Sequence, residues 1–356
     1  MQTAEPTVTP DHWIRERPWI DQPYADIDRY VDGLPEQPGY DLKGKLREWR
    51  DNGVVIFENA IPLSLIDAYL ADIEVLKRDF KSYEIPIEIK GEQMTSRALD
   101  AFPEDLTGVK LNYMHGFSLP AARLSLAPHV ADFLRHVFGA PASVCQSLTF
   151  WRGSEQPIHI DYPYVRQQHP LSFLAASWIP LEDVHPDAGP LAYYPGGHKT
   201  DKSGFFDWGG GSIVYDDQST RSPLDFAHYL QAQMASKGIQ PKIFCPKRGD
   251  VLLWHGNLPH EGTAVNNRSL TRKSYVTHYT VDWALPGWMR NFDAHQQRVG
   301  VFENGGECFR PPWIPGKSAL PSWAAYSAGA SDPAGSGWRG LIGRLKGKAG
   351  SSGGRA

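Results

Sequence analysis

Cysteine is scarce in this chain: three in 356 residues, Cys145, Cys245 and Cys308, with no CxxC pair. That excludes zinc ribbons and thioredoxin-like redox sites, and an odd, sparse count fits a reducing cytoplasm better than a disulfide scaffold. Long apolar runs are missing too; none approaches the ~20 residues of a membrane span. The opening Met-Gln-Thr-Ala-Glu-Pro lacks the basic start and apolar stretch of a secretory leader. A cytoplasmic protein with no integral membrane segment is therefore expected. Nor is there a basic excess: 36 Lys and Arg stand against 40 Asp and Glu, a net charge of −4. Five of the basic residues, Arg339, Arg344, Lys346, Lys348 and Arg355, lie after Trp338 with no acid among them, which leaves 31 basic against 40 acidic elsewhere. An acidic body repels phosphate backbones, so nucleic acid is not the expected partner.

What is present is ordinary for a globular chain: 41% hydrophobic and 21% charged residues, enough for a sizeable core. Residues 1–40 are rich in Pro, Trp, Tyr and Asp without a sustained period. Trp13, Trp19 and Tyr24 are too apolar for a free tail, so an extended N-terminal arm lying on the body is expected. From Asp41 onward, Leu42, Leu46, Trp49 and Arg50 outline a short helix that stops at Asn52-Gly53. Val54–Phe57 reads as a buried strand. Ile61-Pro62 then opens an amphipathic helix with Leu65, Ile66, Tyr69, Leu70, Ile73 and Leu76 at three- and four-residue steps. Another helix runs near Ala127–Phe138 and ends at Gly139. Beyond Ala140, short β-rich runs predict strands over Val144–Arg152, Ile158–Asp161, Phe173–Ile179, Leu191–Pro195, Val251–His255 and Arg272–Thr280. Helices followed by many strands suggest a mainly β, double-sheet barrel backed by N-terminal α-helices.

The barrel domain is expected over residues 41–281, with 199–247 as a lid or substrate insert carrying Phe205, Phe206, Trp208 and a glycine triplet. Residues 282–330 read as an extension packed on the barrel, and 331–356 as a disordered basic tail. In that tail Trp338, Leu341, Ile342 and Leu345 recur at helical spacing, a pattern that suits an anionic surface. Gly340, Gly343 and Gly347 favour a frayed, solvated segment instead.

The most informative stretch is Gln156-Pro157-Ile158-His159-Ile160-Asp161. Residues two apart on a strand share a face, so His159 and Asp161 project together while Ile158 and Ile160 pack behind. These are two of the three ligands of a 2-His-1-carboxylate triad for Fe(II); by itself, HxD is also what a hydrogen-bonded surface pair looks like. The third ligand must come from afar. In Gly249–Gly262 an apolar strand ends in a loop with two histidines: His260 at the loop exit is the better ligand, and His255, still in the apolar run, reads as a packed histidine. Arg272 opens the strand Arg-Lys-Ser-Tyr-Val-Thr-His-Tyr, whose alternation puts Arg272, Ser274, Val276 and His278 on one face. Facing inward, that guanidinium needs an anion and suits a carboxylate bidentately; facing outward, it is a surface salt bridge.

Taken together, these residues resemble the phytanoyl-CoA dioxygenase-like (PhyH) group of Fe(II)/2-oxoglutarate-dependent oxygenases, over roughly Asp41–Thr280. The similarity includes Leu46-x-x-Trp49-x-x-x-Gly53-Val-Val-Ile, Asp187-Ala-Gly-Pro-Leu191 with Pro195-Gly-Gly-His198, and Gly249-Asp250 followed by His255, His260 and Asn266. The resemblance implies a double-stranded β-helix (jelly-roll, cupin-like) barrel, iron held by His159, Asp161 and His260, and 2-oxoglutarate bound through Arg272. It also carries over Trp178, Lys110 and Leu148 as cosubstrate neighbours; Trp178 also reads as core and Lys110 as a solvated lysine. Gln146 shares the strand face of Leu148. The His260 loop departs from the family pattern, reading His-Glu-Gly-Thr where relatives often have His-Gly-Ser, which leaves open which hydroxyl helps hold the cosubstrate.

The implied reaction consumes 2-oxoglutarate and O₂, releases succinate and CO₂, and hydroxylates a C–H bond of a small metabolite. Halogenating relatives lack the carboxylate that Asp161 supplies. Desaturation, epimerisation and cyclisation are alternatives at the same site. Candidate substrate contacts are Tyr162, Tyr164, Arg166, Phe205 and Trp208, and the tyrosines and the aromatic loop also read as simple packing. Two other classes compete: a barrel that binds a ligand without chemistry, and a zinc hydrolase with Glu261 as base, for which no HExxH helix exists.

Overall fold

The structure is a computed structural model of the chain, and it describes residues 17–165, 173–200, 222–286, 298–301, 303–309 and 319–327. Eight helices are described: α1 (Ile27–Asp32), α2 (Leu42–Asn52), α3 (Leu63–Arg78), α4 (Leu119–Ser125), α5 (Pro128–Phe138), the single turn α6 (Tyr162–Val165), α7 (Pro223–Ser236) and α8 (Pro321–Ser327). Local chemistry sets their ends. Asp41 caps α2 by accepting the Gly44 N–H at 2.9 Å, and Leu42, Leu46 and Trp49 bury one face. The helix stops at Gly53, whose φ of +72° lets its N–H close on the Trp49 carbonyl at 2.7 Å. A Cβ there would meet the His198 ring at 2.5 Å, a second requirement for glycine. In α3 the buried residues Ile66, Tyr69, Ile73 and Leu76 follow the expected helical steps. No helix among the described residues is long and apolar enough to cross a membrane.

The strands are β1 (Val54–Phe57), β2 (Pro86–Ile89), β3 (Glu92–Thr95), β4 (Val109–Asn112), β5 (Ser143–Phe150), β6 (Ala175–Pro180), β7 (Leu191–Tyr193), β8 (Lys242–Phe244), β9 (Val251–His255), β10 (His260–Gly262), β11 (Ser274–Thr280), β12 (Arg298–Val301) and β13 (Glu307–Phe309). They form a ten-stranded sheet ordered β1-β9-β6-β11-β5-β4-β2-β3, with the β12–β13 pair joined to β5, and a three-stranded sheet ordered β10-β7-β8. All pairings are antiparallel except β13 with β5. The architecture is the expected mainly β double-sheet one, although the strands do not close into a continuous hydrogen-bonded ring among the described residues.

Alternation along the central strands gives the large sheet two chemistries. Val251 and Leu253 of β9 face a core shared with α2, α3, α4 and α5, while Leu252 and Trp254 face the small sheet together with Phe150, Trp178, Val276, Leu191, Tyr193 and Phe244. The helix-facing side of β11 carries hydroxyls. Tyr275 and Thr277 each lie 2.9 Å from the Ser125 hydroxyl, Tyr279 donates to the Ser125 carbonyl at 2.6 Å, and Tyr69 reaches Thr149 at 2.5 Å. These directional bonds pin the register of β11 against the helices.

Some segments differ from the sequence expectation, and others carry regular structure within it. Within 1–40, the described residues are not simply extended: a 3-10 turn (Trp19–Asp21) and α1 bury Ile20, Ile27 and Val31 in the main core. Ile158–Asp161 is not a strand but a loop with one bridge at His159, because Pro157 supplies no N–H for a longer ladder. Within 199–247 the described residues include regular structure, since α7 starts on a Ser222–Asp225 capping box and β8 joins the small sheet; residues 201–221 lie outside the described residues. Within 282–330, β13 adds to the large sheet through Ser143 and Val144 of β5. The 331–356 tail lies outside the described residues.

Replacing Gly53 by Ala imposes a left-handed alanine, roughly 1–2 kcal/mol, and the overlap with His198. A loss of at least about 2 kcal/mol is expected in denaturant unfolding; a change under about 0.5 kcal/mol contradicts this account of the α2 stop.

Candidate metal centre

Two segments a hundred residues apart are zipped together at the junction of the sheets. His159 and His260 exchange both backbone hydrogen bonds, at 2.9 and 3.0 Å, Asp161 N–H donates to the Gly256 carbonyl at 3.0 Å, and Gly262 N–H to the Gln156 carbonyl at 2.9 Å. Ile158 and Ile160 are buried in an apolar cluster with Leu174, Tyr194, Phe226 and Leu230, which anchors the loop from behind. The intervening His159 and Asp161 turn the other way, beside His260.

One donor atom from each of His159, Asp161 and His260 lies within 4.8 Å of the others, as donors to a single ion do. The tautomers are fixed locally. His159 Nδ1 lies 2.8 Å from the Pro157 carbonyl and His260 Nδ1 lies 2.9 Å from the Leu258 carbonyl. A carbonyl only accepts, so both rings carry the proton on Nδ1 and leave an Nε2 lone pair. His260 Nε2 then faces Asp161 Oδ1 at 3.5 Å. An imidazole nitrogen and a carboxylate oxygen that face each other across a buried gap call for a positive charge between them, a proton or a metal ion. The residues fit a metal ion.

The surroundings tune these groups. Burial and the neighbouring His260 push the His159 imidazole down to about 3, so it is neutral at physiological pH. Burial alone would raise Asp161, but His260, His278 and His159 outweigh it and hold its carboxyl well below the usual carboxylate range. Trp254 donates its indole N–H to Asp161 Oδ2 at 2.7 Å, and His278 Nε2 lies 3.4 Å from Oδ1. Neither Trp254 nor His278 was assigned a role from sequence. Alternation had already put His278 on the face of Arg272, whereas nothing local ties Trp254 to a residue 93 positions away.

The wall beside the centre is built in register. Asn112, Leu148, Val276, Trp178 and Leu252 stand opposite one another across five strands, and Gln146, His278, Ala176 and Trp254 form the neighbouring row. Arg272 is 2% exposed, its guanidinium lying 5.6 and 5.4 Å from the Phe150 and Trp178 rings. It donates to the Gly189 carbonyl at 3.2 Å, its Nε has no partner, and burial pushes it down to about 10, still cationic at neutral pH. No carboxylate of the described residues pairs with it. Asn112 Oδ1, Ser274 Oγ and His278 Nδ1 on the same face are also buried without a partner. Of these groups the Arg272 guanidinium and the Ser274 hydroxyl can donate, and together they mark a place for an anionic ligand. The hydroxyl question left by the His260 loop narrows here, because Thr263 already donates to the Pro190 carbonyl at 2.8 Å while Ser274 is unengaged.

The remaining sequence candidates divide. Trp178 and Leu148 face this wall. Lys110 is also near, its charge acting on His159, but it pairs with Glu88 at 2.7 Å rather than standing free. Tyr162 is packed in the apolar cluster behind the loop and does not line the site, because the chain turns into α6 directly after Asp161. Tyr164 is 41% exposed, with its ring centroid 5.5 Å from that of His159 and the two rings nearly perpendicular. Arg166, Phe205 and Trp208 lie outside the described residues. His255 points away from the centre and pairs with Asp21 at 3.1 Å. Glu261 faces the opposite side of β10 from His260 and accepts from the Tyr194 hydroxyl at 2.9 Å, so it is no metal-side base.

Comparison with known proteins identifies the fold and the family. No curated protein matches the sequence. Among solved structures, the epimerase SnoN in complex with Fe³⁺, alpha-ketoglutarate and nogalamycin RO is similar, with 15% identity, a TM-score of 0.52, and coverage of 76% of this chain and 98% of SnoN. EctD from S. alaskensis with bound Fe is similar at 17% identity and a TM-score of 0.50, covering 76% of this chain and 86% of EctD. The model of the phytanoyl-CoA dioxygenase (PhyH) family matches residues 49–274, well over half of the chain, and the protein belongs to that family.

Proposed function

We propose that this protein is an Fe(II)- and 2-oxoglutarate-dependent dioxygenase that hydroxylates a C–H bond of a small-molecule metabolite. His159, Asp161 and His260 hold the iron. Arg272 takes the distal carboxylate of 2-oxoglutarate, with Ser274 as the hydroxyl beside it and Trp178, Leu148 and Lys110 around it. The iron, when bound, lets O₂ react with 2-oxoglutarate to give succinate and CO₂ while one oxygen atom enters the substrate.

The observation that carries the reading is a pair of complementary features: one donor atom each from His159, Asp161 and His260 converging within 4.8 Å, and a buried guanidinium that no carboxylate of the described residues meets. A ligand-binding barrel without chemistry needs neither. The protein's own contribution is positional. The backbone carbonyls of Pro157 and Leu258 hold both imidazoles in the liganding tautomer, the apolar wall of Trp178, Leu148 and Val276 keeps water away, and Arg272 sets the cosubstrate's direction. The aromatic faces of Phe150 and Trp178 offset part of the cost of the buried cation.

Purified protein supplied with Fe(II), ascorbate and 2-oxoglutarate should form succinate even without its substrate, and His159→Ala or Asp161→Ala should reduce this to background with circular dichroism unchanged. Equal succinate yields from wild type and Asp161→Ala would sink the proposal.

Arg272→Met removes a buried charge that is unpaired in the ligand-free state, so melting without ligand should be no lower than wild type. The same variant should weaken 2-oxoglutarate binding at least about 30-fold, the scale of losing one partner of a buried charge pair. Thermal shift with Mn(II), with and without 2-oxoglutarate, measures both effects; cosubstrate stabilisation equal to wild type would remove Arg272 from the role.

A further inference from the structure

His278 is the one buried imidazole at the centre that the proposed ligand set leaves unused. It sits on β11, opposite Gln146 on β5 and Ala176 on β6, and is 4% exposed. It stands outside the group of donors clustered within 4.8 Å, so it is not a fourth ligand. Its Nε2 nevertheless faces Asp161 Oδ1 at 3.4 Å, and its Nδ1 is buried without a partner.

The proton position follows from these two facts. An N–H pointing at a carboxylate is favourable, and a buried N–H pointing at nothing costs the full desolvation of a donor. The ring therefore carries a proton on Nε2, aimed at Asp161. This is the opposite placement from that in His159 and His260, whose Nδ1 protons go to backbone carbonyls. Three imidazoles around one carboxylate thus divide into two lone-pair donors and one N–H donor. Trp254 supplies the second N–H, to Oδ2 at 2.7 Å.

We propose that His278 is a positioning residue for the metal: with Trp254 it clamps the Asp161 carboxylate between two N–H donors, so that Oδ1 is presented to the ion while Oδ2 is held away from it. The proposal rests on the metal-binding reading above. Both donors come from the floor of the large sheet, whereas the backbone of Asp161 is held by Gly256, so the clamp adds a hold on the carboxylate itself to the hold on the backbone. The carboxylate then stays aimed before any ion arrives.

Anaerobic titration with Co(II), followed by its visible absorption, tests this without turnover. His278→Phe keeps the ring volume and loses the donor; it should raise the Co(II) Kd about 10- to 100-fold, the usual cost of losing an outer hydrogen bond to a ligand. His278→Gln places an amide N–H where Nε2 was and should restore the Kd to within about threefold. Trp254→Phe should weaken binding as well. In the double variant with His278→Phe the effects should be non-additive, because both act on one carboxylate. A Kd for His278→Phe within twofold of wild type overturns the clamp, as does equal weakening by His278→Phe and His278→Gln. Failure of wild type itself to bind Co(II) more tightly than His159→Ala would instead overturn the metal-binding reading.

Discussion

The molecule turns on a single pair of backbone hydrogen bonds, those that His159 and His260 exchange across the junction of the two sheets. Each partner reaches that junction by a different route. His260 begins β10 at the end of the turn that leaves β9, and β9 is buried from end to end in the large sheet. His159 lies in a loop tied down by Ile158 and Ile160 in an apolar cluster. Because the bridge fixes both backbones, the side chains between them have little freedom left. Asp161 joins the pair two residues on, through its own bond to the Gly256 carbonyl.

Electrostatics gives that geometry its meaning. A protein interior tolerates opposed lone pairs and an unpaired guanidinium only where something else completes them. Here the negative character at Asp161, which hangs over the large sheet from its loop, and the positive character at Arg272 flank one face of that sheet, with apolar Val276, Leu148 and Trp178 on it. That separation of unlike charges is what a dianionic cosubstrate with one end on a metal would neutralise. The fold is shared with proteins as different as an epimerase and EctD, and a shared fold does not by itself fix a function.

Much of this was legible in the amino-acid order wherever a local rule decides. Asp41, Gly53 and Gly139 mark helix ends by capping and by left-handed conformation, and the apolar runs of β1 and β9 mark buried strands. The HxD pair was legible because a two-residue step shares a face. Other signals were present but unread: Ser222 and Asp225 form a capping box for α7, and Lys90-Gly91, both at positive φ, turn the β2–β3 hairpin. The reading of Ile158–Asp161 as a strand failed because β-propensity cannot create a ladder next to a proline. Trp254 and its bond to Asp161 were beyond any local rule, since only the pairing of β9 with β6 aims that indole at the loop.

The hydroxyl layer beneath β11 has a consequence for how this site can evolve. Tyr275, Thr277 and Tyr279 are committed to Ser125 and its surroundings, and a slip of one position would swing Ser274, Val276 and His278 away from the cavity altogether. Odd-numbered positions of that strand therefore act as a keel. New substrate preferences can arise by changing the loops and the opposite rim while the keel stays fixed, which leaves the oxidising apparatus intact as its clientele diverges.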